Sequence, residues 1–527
     1  MPTLTQTLQA IATCPNYAGI IHTVRGIEKE SLRTTPEGTL ATSMHPQALG
    51  SALTHPHMTT DYSEALLEFI TSPNTDIELV LKQLYELHTY TYQHIGDEQL
   101  WVSSMPCMLG KENDIPIAQY GSSNSGVMKS IYRLGLGHRY GRSMQTIAGI
   151  HYNFSVPDEL WMFLQSQENS NLSLKDFKTQ GYFRLIRNFR RYFWLLVYLF
   201  GASPSVCKSF IKNRQHTLVP FGNDTSTLYA PFGTSLRIGD LGYQSNAQQS
   251  LIMTYNCLES YIQTLCCAIT QTHPYYRNIG TKDNTGQYQQ LNDSLLQIEN
   301  EFYSVVRPKR TSQSGEPALS ALAKRGVEYI EVRCLDLNPY NPVGINKQQM
   351  QFLDTFLLYC LLSDSPASDE VEHHYIQENQ KRMVYQGRDP NLMIYDRGKE
   401  RSMREWGHDI MVHLVQVANV LDNAIDASMY SNSVMTEAEK LQDDTLTPSA
   451  RILIDMEEQQ MSFYHLVMKL SLQHKQFFLE QTLNNPQNYR DMARSSLKKQ
   501  EQIEHSDTMS LDHYLTNYFS QYACKAR

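Results

Sequence analysis

The sequence is poor in charge. Asp, Glu, Lys and Arg make up 19% of it, against roughly 25% in an average soluble chain. Acids outnumber bases, and the formal net charge is −9. That balance excludes a general nucleic-acid-binding role and leaves only local basic spots for small anions. The nine cysteines never fall in C-x-x-C spacing, which removes the common zinc and dithiol patterns. Their odd number predicts reduced thiols in a cytoplasmic protein, with the adjacent Cys266 and Cys267 packed in an apolar helix. The opening "MPTLTQTLQAIATCP" has no basic stretch leading into an apolar one, so no secretory leader is expected. The longest apolar run, "YFWLLVYLFGA" (192–202), is too short to cross a bilayer and predicts a buried helix or strand. A Walker sequence is missing as well: "GLGHRYG" (135–141) has glycines without G-x-G-x-x-G spacing.

What is present is enough for a large core. The chain has 527 residues, 41% of them apolar, and 32 tyrosines, which allows one large or two ordinary domains. "VRGIEKESLR", "LLEFIT", "GIHYNFSV" and "VEYIEVRCLDL" alternate as strands do. "NTDIELVLKQLYELHTYTYQ" places Ile77, Leu81, Leu84 and Leu87 near helical spacing behind polar caps. "QYGSSNSG" (119–126) reads as a loop. The last third changes character: Ile410, Leu414, Val417 and Leu421 form one helical stripe, and Phe463, Leu466 and Leu470 another. Asp364 to Arg388 is polar and reads as a surface connection. Beyond Asn484 the tail is very polar, helical or frayed. The expected architecture is an α+β body over residues 1–360 with a mainly helical region, 361–527, packed on it, with one single domain as the alternative.

The strands carry unusual side chains. In the first, Glu28 and Glu30 lie two apart and share a face, between Arg25 and Arg33. Two carboxylates that close repel unless a positive charge sits between them. Asp61, Glu64 and Glu68 follow in "TTDYSEALLEFIT", Glu331 in "YIEVRCL" and His151 in "GIHYNFS". An acid in an apolar strand is costly unless it is paired or binds a metal. Carboxylates with one imidazole suit Mg²⁺ or Mn²⁺, and Mg²⁺ commonly bridges to the phosphates of a nucleotide. Residue by residue, ordinary ion pairs explain the same acids: Glu28 with Arg25 or Arg33, and Glu331 with Arg333. A metal-dependent phosphohydrolase also fits the acids.

The same segments carry a resemblance. "RGIEKESLR", "GTLATSMHPQALGSALTHPHMTTDYSEALLEFIT", "MQTIAGIHYNFS", "YLFGASP", "TSLRIGDLGY", "QIENEFYSVVRPKR" and "GVEYIEVRCLDLNP" run in order from about residue 20 to 360. Together they resemble the proteobacterial type of glutamate–cysteine ligase (γ-glutamylcysteine synthetase). The resemblance implies a glutamine-synthetase-like carboxylate–amine ligase fold, a curved and mainly antiparallel sheet with flanking helices. It implies an ATP- and Mg²⁺-dependent enzyme acting on L-glutamate and L-cysteine through a γ-glutamyl phosphate, in the first step of glutathione biosynthesis. It places metals on Glu28, Glu30, Asp61, Glu68, His151 and Glu331. Arg333, by position and by resemblance, faces the transferring phosphoryl group. Tyr132, Gln145, Tyr243 and Tyr303 match positions around the cysteine side chain. Arg133 and Arg237 are candidates to hold substrate carboxylates, and Arg307, Lys309 and Arg310 to reach nucleotide phosphates. A monomer without nucleic-acid or membrane partners is expected. Two alternatives remain open, a ligase for a different amine and an inactive nucleotide-binding relative.

Overall fold

The segment with the paired glutamates is an eleven-residue strand, β1 (Val24–Thr34), and the rest of the central sheet is arranged around it. The computed structural model describes the whole chain except residues 1–2, 107, 212–213, 243–247, 249–250, 523 and 525–527. The other strands are β2 (Met58–Thr60), β3 (Leu66–Ile70), β4 (Gln99–Trp101), β5 (Ile150–Ser155), β6 (Ser205–Cys207), β7 (Val219–Phe221), β8 (Asp224–Tyr229), β9 (Val306–Lys309), β10 (Tyr329–Leu335), β11 (Met393–Asp396) and β12 (Lys399–Ser402). Seven of them form one sheet in the order β2-β3-β1-β5-β10-β9, with β4 pairing the far end of β1. All its pairings are antiparallel. A three-stranded sheet, β6-β8-β7, and the hairpin β11–β12 lie apart from it.

Register decides which side chains meet. Glu28 stands opposite His151 on β5, and Glu30 opposite Glu68 on β3. Glu331 on β10 stands opposite Asn153 on β5. Directly paired residues in an antiparallel ladder share a face, so the acids of three strands and the imidazole of a fourth project to one side. The other side carries Arg25, Ile27, Lys29, Ser31 and Arg33. It is covered by the helices Ile77–Tyr92, Lys347–Leu362 and Phe463–Leu479. There the Arg25 guanidinium donates to Asp354 at 2.7 Å, and both are fully buried.

The apolar run around Trp194 lies in the helix Leu174–Phe200. Leu195 and Leu199 are completely buried, each contributing roughly 1.5–3 kcal/mol relative to exposure. The core is continuous from Leu8 to Tyr489, and residue 360 falls inside the helix Lys347–Leu362. Three readings of the sequence are corrected. Glu370–Gln386, taken as a surface connection, is a helix capped by Asp369, with one side carrying the buried Ile376, Asn379 and Met383. The loop 119–126 ends early, because Ser123 caps the helix Asn124–Tyr140. Cys266 is not a free packing thiol: it is disulfide-bonded to Cys524, 258 positions away. Among the described residues no helix is long and apolar enough to cross a membrane.

Candidate active site

The face with the acids lines a cavity of about 730 Å³. Glu28, Glu30, Asp61, Glu68, His151 and Glu331 all border it, as do Tyr132, Arg133, Gln145, Arg237, Tyr303, Arg307, Lys309 and Arg333. Arg310 is not among the lining residues and lies 3.7 Å from Glu328. Tyr243 lies outside the described residues. Glu64 is spent elsewhere: its two oxygens accept the backbone N–H groups of His45 and Gln119, at 2.8 and 2.7 Å.

Glu28, His151 and Glu331 form the tightest group, with one ligand-type atom from each all within 4.8 Å of one another. His151 Nδ1 is 3.2 Å from Glu28 Oε2 and 3.9 Å from Glu331 Oε1. Its Nε2 is 3.8 Å from Glu30 Oε1, is buried and has no hydrogen-bond partner. The Asn153 amide donates to Glu28 Oε1 at 2.9 Å, and the Gly149 N–H to Glu30 Oε2 at 2.6 Å. These bonds aim both carboxylates. Gly149 has a second reason to be glycine, because a Cβ there would sit 2.0 Å from the Arg237 guanidinium.

Neither flanking arginine of β1 neutralises Glu28. Arg25 is turned to the back, and Arg33 pairs with Glu98 at 2.6 Å. Cations come from the other edge of the sheet. Lys309 donates to Glu331 Oε1 and Arg333 to its Oε2, both at 3.1 Å. Burial opposes ionisation of Glu331, but Lys309, Arg333 and His151 overcome it and hold its pKa well below the ordinary value. Burial likewise opposes ionisation of Glu28, and the hydrogen bond with His151 and the charge of Lys309 outweigh it. The far half of the cluster behaves oppositely. Burial and repulsion from Asp61 raise Glu30, while burial and repulsion from Glu28, Asp61, Glu30 and Glu331 push Glu68 well above the carboxylate range. Glu30 and Glu68 are therefore less well compensated than Glu28 and Glu331. A crowded set of carboxylate oxygens with an orphaned buried imidazole nitrogen fits hard divalent cations such as Mg²⁺ or Mn²⁺.

Around this cluster the remaining side chains fall into patches. The Gln145 amide donates to the Tyr303 hydroxyl at 2.8 Å, and Tyr132 borders the same cavity. Arg133 stacks on Tyr120, 4.5 Å from the ring centre, and donates to the Asp61 carbonyl. Arg237 is buried and donates to the Arg333 carbonyl at 3.0 Å. Arg307 is drawn into structure, donating to the carbonyls of Asn300 and Phe302. The tail supplies a wall that the sequence did not disclose. The helices Pro486–Ser506 and Leu511–Ser520 bring Lys499, Ile503, Tyr514 and Tyr518 to the cavity. They are anchored by Ser51 N–H on Ser496 Oγ (2.9 Å), Ser122 N–H on Glu504 (2.8 Å) and Asn124 N–H on Asp507 (2.6 Å). The helical stripe of this tail is short, and its signal is hidden by exposed polar residues on the other faces.

An open antiparallel sheet, a crowded carboxylate–histidine cluster and an adjoining row of arginines and lysines make an enzyme site whose donors suit divalent cations and anionic groups. The glutamate–cysteine ligase family model matches residues 8–383, and the chain belongs to that family. It is 52% identical over 512 residues to the glutamate–cysteine ligase of Saccharophagus degradans, with 96% of each chain covered. It is 49% identical over 525 residues to that of Alcanivorax borkumensis, covering 98% of this chain and 100% of the other. The crystal structure of the Francisella tularensis glutamate–cysteine ligase in complex with AMP superposes with a TM-score of 0.89 at 36% identity, covering 96% of this chain and 99% of that one. A bifunctional glutathione synthetase from Pasteurella multocida shares the fold, with a TM-score of 0.68 at 24% identity over 90% of this chain and 54% of its own.

Proposed function

We propose that the chain joins the γ-carboxyl of L-glutamate to the amine of L-cysteine at the expense of ATP, releasing γ-glutamylcysteine, ADP and phosphate. The observation that carries this reading is the convergence of Glu28, Glu30, Asp61, Glu68, His151 and Glu331 on one cavity, beside Lys309 and Arg333.

A carboxylate is a poor electrophile, because resonance and charge both repel an amine. A γ-carboxylate oxygen therefore attacks the terminal phosphorus of ATP, the P–O bond to ADP breaks, and an acyl phosphate forms. The cysteine amine then attacks the acyl carbon, phosphate leaves with its electron pair, and the surplus ammonium proton is lost. In the first step two anions must meet. Glu28, Glu30, Asp61, Glu68, His151 and Glu331 would hold Mg²⁺, which when bound offsets the charge of the phosphates. Arg333, fixed by Glu331 and by the backbone contact of Arg237, directs its guanidinium at the transferring group. Lys309 adds charge for the nucleotide phosphates, with Arg307 bordering the same cavity. Arg133 and Arg237 hold substrate carboxylates, and Tyr132, Gln145 and Tyr303 enclose the side chain of the amine substrate. The reading supposes a monomer at work in the cytoplasm.

ADP release measured with glutamate and cysteine omitted in turn tests the proposal. The ligase reading requires release that depends on both amino acids, with 2-aminobutyrate as a weaker substitute for cysteine. Release that persists without either amino acid instead identifies a phosphohydrolase.

A further inference from the structure

A second cavity, of about 530 Å³, lies behind the wall that carries Tyr303. Its walls mix apolar side chains, Phe193, Phe302 and Ile376 among them, with polar ones, and Arg190 borders it from the helix Leu174–Phe200. Arg190 is 9% exposed. Its hydrogen-bond partner is the His373 ring, at 2.8 Å, and it stacks over Tyr255, 4.7 Å from the ring centre. Burial and the Arg190 charge push His373 down to about 4, so the ring is neutral near pH 7.

The neighbouring arginines of this helix are all satisfied otherwise. Arg184 pairs with Glu168 at 2.9 Å and Arg191 with Glu372 at 2.6 Å, while Arg187 donates to the carbonyls of Tyr255, Asn256, Ser365 and Pro366. Among the described residues no carboxylate comes within 4.0 Å of Arg190. The acids on the cavity wall are engaged: Asp240 accepts from the Tyr385 hydroxyl, and Glu378 pairs with Arg382 at 3.1 Å. Lys381 on the rim adds a second cation. A buried guanidinium whose acidic neighbour, Glu372, is already paired with Arg191 is costly to hold, and a cavity that sets apolar side chains beside it suits a ligand with one anionic end.

We propose that this cavity is a second ligand site for a small carboxylate with an apolar body, its carboxylate bound to Arg190. The two cavities share a wall. Tyr303 borders both, and its N–H is held at 3.0 Å by Gln248, another residue of the second cavity. If the ligase reading places the amine substrate against Tyr303, a ligand behind that wall changes how the amine binds.

The probe is 4-bromobenzoate, with binding measured by titration and located by bromine anomalous scattering in soaked crystals of the full chain. The expected result is a bromine peak in the cavity with the carboxylate on Arg190, and affinity weakened about tenfold or more in Arg190→Met. Absence of that peak overturns the proposal, as does unchanged affinity in a folded Arg190→Met variant. Should Arg190→Met not fold, the peak in the unmodified protein decides alone. With the cavity filled, KM for cysteine is expected to shift at least about twofold. An unchanged KM overturns the coupling while leaving the binding site intact, and absence of cysteine-dependent turnover in the protein without the probe counts against the ligase reading instead.

Discussion

The two faces of β1 are both largely buried, yet they settle their charges in opposite ways. On the back, each charge is paired or removed. Arg25 has Asp354, and Arg33 has Glu98. Lys29 lies 2.9 Å from His88 and 2.5 Å from Ser31, and burial pushes its pKa down to about 7. His88 is held well below its usual range, and His474 nearby is lowered to about 4. On the front, the acids crowd one another, and burial and mutual repulsion outweigh the pull of Arg237 and Arg333 on Glu30 and leave Glu68 raised well above the carboxylate range. A back face that closes its own electrostatics stabilises the fold. A front face left short of positive charge is prepared for cations that come from outside.

Breaking the front should cost most. Glu331→Gln keeps shape and removes one charge, and turnover is expected to fall by about a thousandfold or more while circular dichroism and Tm stay close to those of the parent. Normal Mg²⁺-dependent turnover in that variant would contradict the ligand assignment. The rim, far from the acids, should matter less. Tyr518→Ala removes part of the cavity wall contributed by the tail, and KM for one substrate is expected to rise about fivefold with kcat little altered. An unchanged KM for all three substrates would reduce the tail to a support.

The back face should show itself in stability and not in turnover. His474 takes up a proton below about pH 6.5 when unfolded but only below about 4 when folded. The unfolded chain therefore binds more protons in that window, and stability is lost as pH falls from 6.5 towards 4. Burial opposes the charging of that ring, and so does the charge of Lys29. His474→Phe should flatten this acid limb, a difference of order 1–3 kcal/mol in denaturant titrations, with kcat at pH 7 unchanged. An equally steep acid limb would place the sensitivity elsewhere.

Much of the front face was legible because alternation fixes which side chains share a side of a strand. Glu28 with Glu30, and Glu331 with Arg333, follow from period two alone. Which strand lies beside which does not follow, so the meeting of Glu28 with His151 and of Glu30 with Glu68 is a property of register. The supporting residues carry weak local signals. Asn153 aims Glu28 from a position that reads as one more polar residue, and Gly149 is required by the approach of Arg237 from a distant turn. The tail misled for a related reason: most of its surface is polar, and the residues that tie it to the site, Ser496, Glu504 and Asp507 among them, are scattered polar ones. The Cys266–Cys524 bond joins residues too far apart for spacing to reveal.

The central claim is that acids from separate strands grip divalent cations so that two anionic substrates can meet. A crystal structure with Mn²⁺ and a non-hydrolysable ATP analogue tests it most directly, through the anomalous signal of manganese. The account predicts peaks among Glu28, His151 and Glu331 and among Glu30, Asp61 and Glu68, with the analogue's phosphates alongside. Manganese bound only away from this cavity would contradict it.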